Sequence, residues 1–268
     1  MRSTLAVYLR LVRVGLRTQS AYPLAAVAGV AANAMFGLIK ASILLAAVAS
    51  AGGALRGYDA ATMAAYVWVS QALIGLVQPW GGSQIAASTR SGQVAVELVR
   101  PLDVQGAHIA DDVGRGLFGI VPRTLPTLAV GALTTGLFLP HALAPYVLGV
   151  ASALLAVVLS SACRYALGVL GFWVVDARGL QTLYMVVGSF LAGLFVPLPL
   201  MPHWLQALAA ATPFPSLLMA PVDVISGRVT GPAAYAVLAH QGLWLIAAWA
   251  LGAVLTRAGA RRLEIQGG

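Results

Sequence analysis

The stretch LAPYVLGVASALLAVVLSSACRYALGVLGF, Leu143 to Phe172, runs for thirty residues with one charge, Arg164. Coiled as a helix it is about 45 Å long, against about 30 Å for the hydrocarbon of a bilayer, so it must tilt or project beyond it. A second run of nearly thirty apolar residues covers 22–49. Between and beyond them, shorter apolar runs lie at 62–80, 113–138, 180–198 and 232–256.

Composition agrees. Of 268 residues, 60% are hydrophobic and 9% charged, where soluble domains average about 45–50% and about 25%. Mean hydropathy is +0.87. A soluble fold of this length has no interior large enough for so much apolar surface, and a disordered chain requires far less of it. One cysteine excludes a disulfide scaffold and a Cys-rich zinc site. The expectation is an all-α polytopic membrane protein: an amphipathic helix over 1–20, then a six-span domain over 21–268.

The net charge is +8. In a soluble protein such a balance points to nucleic acid; here the cations read as topology signals, and no nucleic-acid partner is expected. With the N-terminus inside, Arg2, Arg10, Arg13, Arg17, Arg90, Arg100, Arg115, Arg178, Arg257, Arg261 and Arg262 fall on the cytoplasmic side, eleven in all, and only Arg56 and Arg228 outside. That imbalance places both termini in the cytoplasm. Lys40, Arg123 and Arg164 fall within spans, where a cation must reach water, a partner or the interface. Lys40 is expected to snorkel outward. Arg123 is placed in an inner vestibule and Arg164 near the cytoplasmic interface, with Asp176 as its partner; Arg123 and Arg164 are the candidate pathway residues. Abundant Arg, Ala, Gly and Val, with one Lys, fit a high-GC bacterial genome.

Residues 1–20 set Arg2, Arg10, Arg13 and Arg17 among Leu5, Leu9, Val12 and Leu16, a basic helix suited to the membrane interface. Ala32-Asn33-Ala34 has the look of a signal-cleavage site, but the apolar run continues to Ala51, as an uncleaved span does. The connection 81–112 is the longest polar stretch. It holds Arg90, Glu97, Arg100 and Asp103 around Val94, Val96 and Leu98, an apolar strip among mixed charges that suits docking. Residues 197–231 hold six of the fourteen prolines. Their two apolar pieces, 203–212 and 216–225, are too short to span and read as interfacial or re-entrant helices of an outer cap.

Motifs for chemistry are sparse. Gly114-x-Gly116-x-x-Gly119 matches the dinucleotide fingerprint but has no strand before it, so close helix packing is the better reading. No phosphate-binding loop exists, because the only lysine is flanked by Ile39 and Ala41. His108, His141, His203 and His240 form no ligand pair, so no metal is expected. Gly81-Gly82-Ser83 with His240 is the nearest approach to an intramembrane nucleophile, but Ser83 falls at the cytoplasmic end of a span. A membrane-embedded protease or lipid-modifying enzyme and an ATP-independent secondary transporter are the rival readings. The first lacks a polar constellation and the second lacks paired carboxylates within spans.

Taken in order, Ser91-Gly92-Gln93, Glu97-Leu98-Val99-Arg100-Pro101-Leu102-Asp103, Gly171-Phe172-Trp173, Gly193-Leu194-Phe195-Val196-Pro197-Leu198, Met201-Pro202-His203-Trp204-Leu205 and Thr212-Pro213-Phe214 resemble the ABC-type-2 permease family. The likeness is to its short permeases, often encoded in pairs beside a separate ATPase. It implies half of an export pathway for an amphipathic or lipophilic solute such as a drug, antibiotic or lipid. It also implies a second permease, identical or paralogous, surrounding membrane lipid, and a cytosolic ATPase dimer that binds ATP and magnesium. The 81–112 loop is then the coupling element, and this subunit carries no cofactor and no catalytic residue.

Overall fold

The computed structural model describes residues 2–20, 23–78, 82–137, 140–174 and 177–262. Thirteen α-helices occur among them: α1 Arg2–Ser20, α2 Pro23–Ser50, α3 Ala60–Val77, α4 Gln84–Arg90, α5 Val94–Val99, α6 Val104–Phe118, α7 Leu125–Thr134, α8 Ala144–Val169, α9 Arg178–Leu191, α10 His203–Ala210, α11 Phe214–Leu217, α12 Met219–Ile225 and α13 Pro232–Ala260. A π-helical turn, Ile120–Thr124, joins α6 to α7. Among the described residues the only β contact is an isolated bridge between Leu55 and Tyr58.

Among the described residues, five helical segments are long and apolar enough to cross a membrane: Ala28–Ser50, Ala60–Val77, Val104–Thr134, Ala144–Phe172 and Pro232–Ala260. The expected sixth, 180–198, is not a helix of that length. Gly193, at φ +72°, stops α9 after 14 residues, or about 21 Å, although the apolar run continues. The third crossing starts earlier than its hydropathy, because Asp103 caps α6 by accepting from Gly106 N at 2.6 Å. The loop expected over 81–112 therefore ends at Asp103.

Helix direction follows from paired side chains. Ser152 donates to Gln241 Oε1 at 2.8 Å, and Tyr165 meets Thr256 at 2.9 Å, so α8 and α13 run parallel. The chain between them must return across the same thickness, and α9 is the longest helix there. By the same reasoning α2 and α3 are antiparallel, since Asn33 faces Gln71 and Gly37 faces Trp68.

Residue α3 by residue, the centre is enclosed: Tyr66, Val67, Trp68 and Ser70 have no exposed surface. Trp68 packs into the interior. Its ring lies between Gly37 of α2 and Gly131 of α7, and its indole donates to Thr135 Oγ1 at 2.7 Å. The glycines of the false dinucleotide motif each admit a different neighbour: Gly114 the backbone of Val12, Gly116 that of Leu76, Gly119 that of Gly75. A Cβ at any of these positions collides with backbone, which is the close approach that small residues permit. Through Gly114 and Gly15, α1 lies against α6, while Leu5 and Leu9 on its other side stay exposed.

Candidate functional site

Two regions hold the candidate residues. The first is the loop side. Gly92, at φ +75°, turns the chain between α4 and α5. Val94 is fully buried against Ile85, Tyr165 and Val169, with Leu98 packed beside it. Val96 and Val99 face outward, 57% and 83% exposed. The expected strip of Val94, Val96 and Leu98 is thus split. Those positions share a face in a strand, but in α5 residues four apart point inward together and residues three apart point outward.

Charge fixes this short helix. Glu97 accepts from Ser88 Oγ at 2.9 Å and meets His108 Nε2 at 2.9 Å, tying α4, α5 and α6 together. Asp103 is consumed as the α6 cap, while Arg90 and Arg100 are exposed. The outward surface is therefore Val96 and Val99 between two arginines. Beside it, a cavity of about 340 Å³ opens between α1 and α6, with Glu97, Arg100, His108, Asp111 and Arg115 in its walls.

The second region lies within the bilayer segments. Arg164 is 4% exposed and pairs with Asp112 of α6 at 3.1 Å, with Ser161 Oγ 3.2 Å away. It braces α6 against α8. Asp176, the expected partner, lies outside the described residues. Arg123 sits in the π turn, next to Pro122. Its side chain runs between two glycines: a Cβ on Gly29 would stand 3.2 Å from Nε, and one on Gly75 would stand 3.1 Å from the Arg123 Cβ. Turns of this kind are rare and concentrate at functional positions.

Lys40 does not snorkel. Its ammonium points inward, donating to Ser70 Oγ at 2.9 Å and to the Leu194 carbonyl, 4.2 Å from the Tyr66 ring centroid. Tyr66 donates to the neighbouring Gly193 carbonyl. Lys40, Asn33 and Gln71 form the polar wall of a groove of about 570 Å³ whose other walls include Phe36, Ile39, Ile74 and Phe195. Reading the chain alone missed this groove. The signal was present, however: the one lysine in the whole chain lies seven residues, two helical turns, past Asn33, on the same helix face.

Ser83 and His240 are far apart in role. Ser83 packs on Gly168, and His240 accepts from the Trp244 indole at 2.9 Å in the wall of another cavity, with Asp223. No group of three metal-capable side chains occurs among the described residues.

No curated protein and no solved structure matches the chain. A family model described as "ABC-2 family transporter protein" matches residues 36–267, which takes in the groove apart from Asn33, the π turn, the α4–α5 loop and α10 to α12. The chain belongs to the ABC-2 family of transporter proteins.

Proposed function

We propose that this chain is the permease subunit of an ABC exporter for an amphipathic or lipophilic solute, with the α4–α5 loop as its contact with a cytosolic ATPase dimer. The observation that carries the reading is the pair Val96 and Val99, exposed between Arg90 and Arg100 on a helix held in place by Glu97, Ser88 and His108. An apolar pair on a braced element suits burial in a partner's groove, and the flanking charges set orientation more than affinity. ATP and magnesium belong to the ATPase. In this reading the chain crosses the plasma membrane six times, with α9 as the short crossing, both termini and the α4–α5 loop in the cytoplasm, and the cap outside. A second permease completes the pathway.

The mechanism is a two-state one. Closure of the ATPase dimer on ATP moves the docked loop, and the loop is continuous with α6 through the Asp103 cap. The permeases then shift between inward-open and outward-open arrangements, and a solute biases that equilibrium only by binding one of them better. The rival readings have less support. A secondary transporter requires titratable carboxylates facing a path, whereas Asp112 is spent on Arg164. An intramembrane hydrolase requires Ser83 and His240 together, and each is packed on other partners.

The test is co-purification of the ATPase and solute-stimulated ATP turnover for wild type, Val96→Asp and Val99→Asp. Loss of both in the variants, with the permease still folded in the membrane, supports the reading. Normal assembly and turnover in both variants overturns it.

A further inference from the structure

The face of α2 that meets α3 carries Gly29, Asn33 and Lys40, residues that repeat on one side of a helix. Arg123 lies across Gly29, Asn33 donates to the Gln71 carbonyl at 3.4 Å, and Lys40 reaches Ser70. Two cations thus stand about 16 Å apart along one seam. The six described acids are all engaged elsewhere: Asp59 and Asp103 as caps, Glu97 with His108, Asp111 with Arg115, Asp112 with Arg164, Asp223 with Arg228. Among the described residues neither Lys40 nor Arg123 has a carboxylate partner. An ammonium has three protons to donate. Two of those on Lys40 are taken by Ser70 and Leu194. The third remains for the groove.

We infer that this groove binds a single-chain amphiphile with an anionic head, carboxylate or phosphate, the head accepting from Lys40 beside Asn33 and Gln71 and the alkyl chain lying along Phe36, Ile39 and Phe195. The volume, about 570 Å³, lies in the range of small-molecule sites, about 300–1,000 Å³. A half-buried cation with no described acid opposite it is complementary to an anion, and the apolar walls are complementary to a chain. The inference deepens the export reading by naming a solute class, but binding needs no ATPase, so the two can fail separately.

The test is equilibrium binding to the full chain in nanodiscs of zwitterionic lipid, retaining any ATPase that co-purifies. The probes are dodecanoate, dodecyl phosphate, dodecanol and dodecyltrimethylammonium. The expected result is that both anions bind at least about tenfold more tightly than dodecanol and that the cation fails to compete. Lys40→Met erases that preference and Lys40→Arg keeps it. Ile43 also lines the groove, and Ile43→Trp, which fills it and leaves the cation in place, weakens all probes. The order of the two anions identifies the head, and either order supports the inference. Equal binding of anions and dodecanol, or a preference that survives Lys40→Met, overturns it. So does exclusion of every probe alike by a chain that elutes as a dimer, because a second copy then covers the groove.

Discussion

Asp112 and Arg164 meet at 3.1 Å between α6 and α8, 11% and 4% exposed. Removing one partner of such a pair leaves an uncompensated charge, a loss of about 3–5 kcal/mol, whereas an apolar replacement of both is often nearly neutral. Arg164→Met is therefore expected to lower the thermal stability of the detergent-solubilised chain sharply, and Asp112→Leu with Arg164→Met to recover most of it. Melting followed by size-exclusion chromatography checks this. A double variant no better than the single would mean the pair contributes something other than mutual neutralisation.

Gly114→Val is expected to push α1 off α6, because the new side chain meets the Val12 backbone. Flexible side chains can move aside and backbone cannot. The readout is protease nicking near residue 20, absent in wild type and prominent in the variant. Nucleotide binding should be undetectable in both.

Just past α12, Arg228 holds three groups: the Asp223 carboxylate at 3.1 Å, the Gly57 carbonyl at 3.0 Å and the face of Tyr58, 3.6 Å from the ring centroid. Burial pushes the Asp223 carboxyl up to about 6, against the opposing pull of Arg228. The folded state then holds a proton that the unfolded chain, with an ordinary aspartate near 3.8, has already released. Stability should therefore rise as pH falls from about 7 through 6 towards 4. Melting midpoints at a series of pH values should show that slope in wild type and lose it in Asp223→Asn.

The topology has its own test. With Cys163→Ala as background, a cysteine at position 99 should resist an impermeant thiol reagent applied to intact cells, and one at position 53 should react. Labelling at 99 would place the α4–α5 loop outside and remove the basis for docking.

Much of the fold was legible because it depends on local runs: the boundaries of α2, α8 and the start of α13 differ little from the hydropathy. The packing role of Gly114, Gly116 and Gly119 was legible from context, since no strand precedes them. What the chain alone did not reveal depends on partners distant in sequence. Arg164 carries no sign that its acid is Asp112, and Lys40 none that its acceptors are Ser70 and Leu194. The facing of Val94, Val96 and Leu98 needed the helical register that the Gly92 turn sets. The length of α9 was hidden because apolarity continues past the glycine that ends it.

The parallel course of α8 and α13 has a consequence in time. Ser152 and Gln241 satisfy each other across 89 residues, so the polar groups of α8 wait for a partner not yet synthesised. At about 5–20 residues per second, that wait is on the order of ten seconds. During it α8 sits in the bilayer with Ser152 unanswered by α13. A nascent chain stalled before α13 thus holds Ser152 without its Gln241 partner, and quality control has a feature by which to recognise incompleteness.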